Sequence, residues 1–328
     1  MTFRLLLKAA TGAVLAAALV SAASAQDTPR MGVVVKIGGI PWFNAMEVGI
    51  KEQGEKLGMD AFMIGPTSAD PALQVRAIED LIAQGVDAIG VVPNDEDVLE
   101  PVLTKAREAG IKVISHEGPG LSNVDYNFEL ASSDGFGEAH ADLLAEKMGG
   151  EGKYAVFVGS LTVPLHNAWA DAAIAHLKAN YPGMEVVGER HGVAESADDS
   201  RRTALELMSA NPDLGGFLAF GSQGPIGAGR AIAERRKAGD VHVLGPFSPG
   251  QGQKLVNDGV ISGGFMWNPM EAGRVFVTLG KNLVDGDEVA GTEVEGLGLV
   301  EPDGTNIIVD QLVPINSDTV GELADMGL

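Results

Sequence analysis

Lys36 ends a β-branched run, Met31–Ile37, where an unpaired ammonium would be costly, so it calls for a carboxylate or a ligand oxygen. Gly38-Gly39-Ile40-Pro41-Trp42-Phe43-Asn44 follows, an aromatic pair beside a polar side chain at a strand end. That combination suits a pyranose or furanose, whose C–H face packs on a ring while its hydroxyls take hydrogen bonds. Trp42 and Phe43 can equally anchor the first turn of a helix. Ser115-His116-Glu117-Gly118 ends a later run. Glu117 is the foremost ligand candidate there, because a carboxylate accepting from two hydroxyls makes charge-assisted bonds. His116 either joins it or faces the interior. Thr162-Val163-Pro164-Leu165-His166-Asn167 sets His166 and Asn167 at a loop and helix start, where they can bind or cap. Gly221-Ser222-Gln223, Phe247-Ser248 and Trp267-Asn268 each follow a short apolar run. The candidate ligand-binding set is therefore Lys36, Trp42, Phe43, Asn44, His116, Glu117, His166, Asn167, Ser222, Gln223, Phe247, Trp267 and Asn268.

Signatures of bond-making chemistry do not accompany these residues. With no cysteine in 328 residues, disulfides, thiolate zinc sites, iron–sulfur clusters and cysteine nucleophiles are excluded. Gly38-Gly39 and Gly118-Pro119-Gly120 lack the spacing that cradles phosphates, and neither H-E-x-x-H nor G-x-S-x-G occurs. Gly245–Gly250 reads as a loop. Asp95-Glu96-Asp97 and Asp198-Asp199 depart from the calcium-loop pattern and read as solvated helix starts. A sugar-cleaving enzyme needs carboxylates paired across a cleft, and only Glu117 is evident. Binding without catalysis is the simpler reading, and neither cofactor nor metal is expected. A net charge of −22 without a basic cluster argues against nucleic acid as a partner, and the same acidity favours a soluble monomer.

The elements that carry these residues alternate short β-branched runs with longer helix-period segments from Arg30 onward, the pattern of an α/β parallel sheet. Strands are expected at Met31–Ile37, Asp60–Ile64, Ala88–Val92 and Lys112–Ser115, with helices at Trp42–Leu57, Pro71–Gln84 and Asp97–Ala109 between them. Asp70 and Asp95 stand as N-caps, and Gly58, Gly85 and Gly110 close the helices. Alternation restarts at helix Asp134–Met148 and continues through strand Tyr154–Val158, helix Val163–Asn180, strand Met184–Gly188, helix Ser196–Ala210, strand Gly215–Phe220, helix Pro225–Ala238 and strands Val241–Leu244 and Ile261–Met266. Helix Met270–Leu283 and a β-rich tail, Asn306–Val313, close the chain. Two doubly wound parallel-sheet lobes joined by short crossings, near Asn127–Ser133 and Trp267–Asn268, make a hinged clamshell. The expected division is 28–131 plus 268–298 for the N-terminal lobe and 132–267 plus 299–328 for the C-terminal lobe. Ligands of open α/β sheets sit at the carboxyl ends of strands, so the candidate residues should converge on the cleft. Ahead of the first lobe, residues 1–25 carry Arg4 and Lys8, an apolar run of about 12 residues and Ala23-Ser24-Ala25. They read as a secretory signal peptide cleaved after Ala25, which places the mature protein in the periplasm.

Taken together, the leader, Pro41-Trp42-Phe43, the run Asp80–Ile89 and the strand end Val113–Glu117 resemble the periplasmic sugar-binding proteins of ABC transporters, of the ribose-binding type. Gly65-Pro66-Thr67, Asn167-Ala168-Trp169, Phe247-Ser248-Pro249 and Trp267-Asn268 resemble the branch that includes autoinducer-2-binding and rhamnose-binding proteins. The resemblance implies the type I periplasmic-binding-protein fold, capture of a monosaccharide or related polyol, and delivery to a membrane permease. Its alternatives are autoinducer-2 binding or presentation of a sugar to a chemoreceptor. By that resemblance, Lys36 matches a lysine of the autoinducer-2 pattern, and Glu117 stands in place of an aspartate. Leu165-His166 replaces Asp-Gln, Phe220-Gly221-Ser222 replaces Pro-Asp-Ala, and Trp267-Asn268 replaces Trp-Asp. The Asp-Arg pair of the ribose-binding pattern appears as Glu117-Gly118. These exchanges point to a different monosaccharide or polyol.

Overall fold

The computed structural model describes residues 28–328, and the expected signal peptide lies outside the described residues. The chain builds two parallel sheets. In the first, β1 (Arg30–Val34) lies between β2 (Asp60–Ile64) and β3 (Ala88–Val91). Beyond β3 come β4 (Lys112–His116), β5 (Tyr126–Glu129) and β14 (Asn306–Ile308). The helices that link them are α1 (Pro41–Leu57), α2 (Pro71–Gln84) and α3 (Glu96–Glu108). Their ends follow the capping chemistry of the sequence. Asp70 and Asp95 accept from the backbone N–H of Ala72 and Val98, and Gly58 and Gly85 close α1 and α2 in the left-handed conformation.

In the second sheet, β6 (Glu151–Val158) has β9 (Leu214–Phe220) on one side and β7 (Gly183–Val186), then β8 (His191–Gly192), on the other. β10 (His242–Leu244) pairs with β9. β11 (Gly264–Met266) pairs antiparallel with β15 (Val313–Ile315). The second lobe's helices are α4 (Ser133–Met148), α5 (Pro164–Asn180), α6 (Ala197–Ala210), α7 (Gly224–Arg235) and α8 (Pro249–Asn257). The hairpin β12 (Glu293–Val294) and β13 (Gly298–Leu299) and the helix α10 (Val320–Asp325) complete the chain, and α9 (Pro269–Asp285) returns to the first lobe against α1.

The tail corrects the expected division. Residues 306–308 do not stay with the C-terminal lobe; they add a sixth strand to the first sheet beside β5, and only from Val313 does the chain rejoin the second lobe. The lobes are therefore joined by three crossings, at 130–132, 267–268 and 309–312. The third runs beside the first, with Val309 and Gln311 N–H donating to Glu129 and Leu130 C=O.

Each sheet reverses winding direction at its first strand, β1 in one lobe and β6 in the other, and that switch point is where open α/β sheets leave a crevice. One face of the first sheet packs on α2 and α3 through Ile78, Leu81, Leu99 and Leu103. The opposite face, under α1 and α9, is continuous through Trp42 and Trp267 with the core of the second lobe. Helices α1 and α9 touch backbone to backbone. A Cβ added at Gly49 would lie 1.9 Å from Met270 O, and one at Gly273 would lie 2.2 Å from Met46 O.

Two predictions follow from this packing. Gly49→Ala forces α1 off α9 and should cost about 1–3 kcal/mol, read as a lower urea midpoint; an unchanged midpoint would show that the helices part freely. His140, fully buried, donates from Nδ1 to Phe136 C=O and accepts at Nε2 from Phe265 N–H. Burial pushes its pKa down to about 4 from 6.5. The native state thus refuses a proton that the unfolded chain accepts, so stability is full above about pH 6.5 and falls towards pH 4 by about 3 kcal/mol. His140→Gln should flatten that part of the unfolding profile, measured by urea denaturation between pH 4 and 8.

Candidate ligand-binding site

Lys36 lies just past the end of β1, and its position is fixed by two buried amides. Gln74 donates from Nε2 to Val35 and Val92 C=O, and its Oε1 accepts from Asn94 N–H. Asn94 Nδ2 in turn donates to Lys36 C=O at 2.9 Å. The ends of β1 and β3 are thereby tied together, and the Lys36 side chain, 2% exposed, is directed into the cleft.

Its principal partner is Glu117, one residue past β4. Nζ lies 2.5 Å from Glu117 Oε2. Glu117 has φ 61°, a left-handed conformation that costs a non-glycine residue about 1–3 kcal/mol and persists only where surrounding structure imposes it. The surroundings here are a paired polar network. Asn127 Oδ1 accepts from Ser115 Oγ and Gly118 N–H, while its Nδ2 donates to Glu129 and Asn306. Burial would push the Glu117 carboxyl up, but the Lys36 ammonium, with His166 and His116 beside it, outweighs burial and holds it well below the usual carboxylate range. Glu129, buried without a cation in contact, is driven the other way, well above the usual carboxylate range, by the same burial.

From the second lobe, α5 follows the switch strand β6 and carries His166 and Trp169. Gly159 N–H donates to His166 Nδ1 at 3.0 Å, so the neutral ring bears its proton on Nε2. Burial and the nearby Lys36 ammonium keep the ring neutral by lowering its pKa. Nε2 stands 2.8 Å from Lys36 Nζ and 3.6 Å from Glu117 Oε2. The two switch points thus deliver one side chain each, and the pair meets across the cleft.

These residues line a cavity with about 290 Å³ of atom-free space, completed by Trp42, Phe43, Trp169, Glu195, Gly221, Ser222, Pro246 and Trp267. All three tryptophans of the chain are in that wall. Trp267, in the crossing between β11 and α9, meets Trp42 edge-on at 5.4 Å and Trp169 at 5.3 Å. The indole Nε1 atoms of Trp169 and Trp267 are buried without a partner among the described residues. His116 lies beneath this wall, stacked on Phe128, with Nδ1 donating to Phe128 C=O and Nε2 unpartnered.

Of the candidate set, Lys36, Trp42, Phe43, Glu117, His166, Ser222 and Trp267 line the cavity. The others do not. Asn44 is exposed on the next face of α1, facing a groove towards the C-terminal residues. Asn167 turns back to Ser160 and Val163 C=O and accepts from Arg190. Asn268 caps α9. Gln223 pairs amide to amide with Gln251, Phe247 is buried against Gly252, and His116 stays in the layer below. The sequence reading missed Trp169, Glu195, Gly221 and Pro246. Trp169 carried a signal, since it stands three residues after His166 and four after Leu165 on one face of a helix.

A closed pair of α/β lobes, each contributing its switch-point loops to one aromatic and charged cavity, defines a protein that traps a solute between its lobes. Residues 31–288 match the family model described as the periplasmic binding protein domain, and the chain belongs to that family. It is 26% identical over 284 residues to the ribose import binding protein RbsB of Salmonella typhimurium, covering 84% of this chain and 92% of that protein. Among solved structures, it is similar to an ABC transporter solute binding protein of Clostridium phytofermentas with bound L-rhamnose. That match has TM-score 0.84 and 24% identity, covering 91% of this chain and 99% of that one. It is also similar to LsrB of Clostridium saccharobutylicum in complex with AI-2, with TM-score 0.84, 18% identity and coverage of 89% and 99%.

The ion pair at the cavity's centre carries its own test. Lys36→Met leaves Glu117 buried and unpaired and should cost about 3–5 kcal/mol, whereas adding Glu117→Gln should recover much of that loss. The cycle is measured by denaturant unfolding, and additive losses would mean that the two groups do not depend on each other.

Proposed function

We propose that this protein captures a monosaccharide or related polyol between its lobes in the periplasm and delivers it to the permease of an ABC transporter. The observation that carries this reading is the composition of the cavity wall: three tryptophans and Phe43 surround Lys36, Glu117, His166, Glu195 and Ser222. Aromatic faces accept the C–H surface of a sugar, and the charged groups and free indole N–H groups take its hydroxyls. The names of the relatives agree, since RbsB is a ribose import protein and the Clostridium phytofermentas protein holds L-rhamnose. Lobe closure follows from the geometry. Lys36, Trp42 and Glu117 come from one lobe and His166, Trp169 and Glu195 from the other, so only the closed form surrounds a ligand and the ligand favours it.

The protein acts as a monomer without catalysis. A glycosidase needs one cavity carboxyl poised to give a proton; here Glu117 and Glu195 both face the Lys36 ammonium, while Glu129, which burial pushes up, is bonded to Asn127 behind the cavity wall. Of the autoinducer-2 contacts expected from the resemblance, Lys36 and Trp267 are kept in the cavity, but His166, Gly221 and Asn268 are not equivalent to the groups they replace. Chemoreceptor presentation would use the same closed form and differs only in the partner.

Since every tryptophan lines the cavity, sugar binding should change the intrinsic fluorescence. The expected result, with protein unfolded and refolded to remove carried ligand, is a saturable fluorescence change and a raised melting midpoint with one or a few pentoses, hexoses, deoxysugars or polyols. Glu117→Ala should abolish both. A library that moves neither signal would sink the carbohydrate reading.

A further inference from the structure

Glu195 is a nearly buried carboxylate that meets the Lys36 ammonium at 3.7 Å but accepts no hydrogen bond among the described residues. It follows β8 and directly precedes Ser196, the N-cap of α6. Its side chain is 7% exposed, yet the nearest cationic or imidazole nitrogens, Lys36 Nζ and His166 Nε2, stand 3.7 and 3.9 Å from Oε1, beyond hydrogen-bond distance. Lys36 spends its short contact on Glu117 at 2.5 Å, and Gly159 holds His166 with Nε2–H just out of reach. A nearly buried carboxylate that meets its cation only at 3.7 Å keeps acceptor capacity for a further donor.

The surroundings are shaped to admit this carboxylate. A Cβ on Gly159 would lie 2.9 Å from Glu195 Oε1 and 2.7 Å from His166 Nδ1, so both groups reach the cavity only because residue 159 has no side chain. The charge count then restricts what can fill the space. The cavity wall holds one cation, Lys36, against the two carboxylates Glu117 and Glu195, and no arginine. A neighbouring interlobe hollow with about 640 Å³ of atom-free space shares Glu195, and its one other charged lining residue is Asp199. An anionic ligand would meet surplus negative charge in the cavity and in the hollow beside it. Hydroxyl or ammonium groups would supply the missing donors.

Resting on the capture reading above, we propose that Glu195 is a specificity-determining ligand residue. It accepts hydrogen bonds from hydroxyl or ammonium groups of a neutral or amino-bearing sugar or polyol and excludes sugar acids. The proposal sets the ligand's charge class and gives the C-terminal lobe a carboxylate counterpart to Glu117.

The test uses matched probes: glucose, glucosamine and glucuronate; galactose, galactosamine and galacturonate; and ribose, arabinose and xylose with their aldonates. They are titrated calorimetrically into wild type, Glu195→Gln and Glu195→Asp. In wild type, the neutral or amino member of a responding set should bind at least a hundredfold more tightly than its acid. Glu195→Gln should weaken that ligand at least tenfold and narrow the preference over the acid at least tenfold. Glu195→Asp, which keeps the charge, should retain the rejection of acids. The ligand-free midpoint of Glu195→Gln should not fall below that of wild type, because the change removes a nearly buried charge held by no hydrogen bond and leaves Lys36 paired with Glu117. An acid bound within threefold of its neutral partner, a preference unchanged in Glu195→Gln, or acids admitted by Glu195→Asp would each overturn the role of Glu195 while leaving capture intact. Absence of binding by every neutral and amino probe, with the wider library of deoxysugars and polyols silent as well, would overturn both.

Discussion

The ammonium of Lys36 is the constraint from which the site is organised. An ammonium that is 2% exposed cannot stand alone in a low-dielectric interior, so whatever positions Lys36 must also bring it partners. The first sheet does both. Gln74 and Asn94 fix the backbone on either side of the switch point, and the left-handed turn at Glu117 aims a carboxylate at Nζ. The strain at Glu117 is held by bonds beneath it, where Ser115, Asn127, Glu129 and Asn306 satisfy one another and bind β4, β5 and β14 into one block. The third crossing has a role here, because the strand that precedes it supplies Asn306 to that block.

The same ammonium links the lobes. His166 and Glu195 approach it from the second lobe, and Thr162 Oγ1 donates to Asn94 C=O across the cleft. Direct polar contact between the lobes at the site is therefore sparse and centred on one cation. Its interlobe partners are a buried imidazole whose facing nitrogen, Nε2, is itself a donor and a carboxylate at 3.7 Å. Such an interface is weak without an intervening molecule. A few kcal/mol between open and closed forms is what allows a ligand to shift the population, since it can move the equilibrium only by its own difference in affinity. The hydrophobic part of the closure falls to Trp267, which sits in the hinge and touches Trp42 of one lobe and Trp169 of the other.

Local chemistry made much of this fold readable. Proline and aspartate at helix starts and glycine at helix ends punctuated the βα alternation, and the second lobe repeated it. The elements that escaped carry weaker local signals. Tyr126–Glu129 alternates the wrong way for an amphipathic strand because Asn127 and Glu129 face a polar network that is buried. β14 is three residues long and is defined by its neighbour β5 instead of by its own sequence, so residues 306–308 read as part of the C-terminal lobe although the first sheet takes them. α8 begins with Pro249-Gly250 and reads as a loop until packing against the C-terminal residues holds it. At the site, the rule that ligands lie at strand ends located Lys36, Glu117, His166, Ser222 and Trp267 without a structure. The same rule over-reached at Asn167 and Asn268, whose amides are absorbed by the backbone. Asn44, one residue past Phe43, is turned away by the helix's angular step. Glu195 had no such marker, because the strand before it has two residues and no apolar pattern.

Polar groups serve both the scaffold and the cavity wall. Beneath the wall most buried amides and hydroxyls are paired, the exceptions among the described residues including Asn94 Oδ1, Ser248 Oγ and His116 Nε2. In the wall, the indole N–H groups of Trp169 and Trp267 have no protein partner among the described residues, and Glu195 meets Lys36 only at 3.7 Å, without a hydrogen bond. Leaving such groups unmet costs about 1–3 kcal/mol each, and a ligand that supplies their partners recovers that cost at Trp169 and Trp267 in the cavity. That recovery makes the wall selective, because a molecule that leaves any of these groups unmet forgoes the gain on that group while still bearing the cost of entering. Discrimination between sugars of equal size then follows from which donors and acceptors they present.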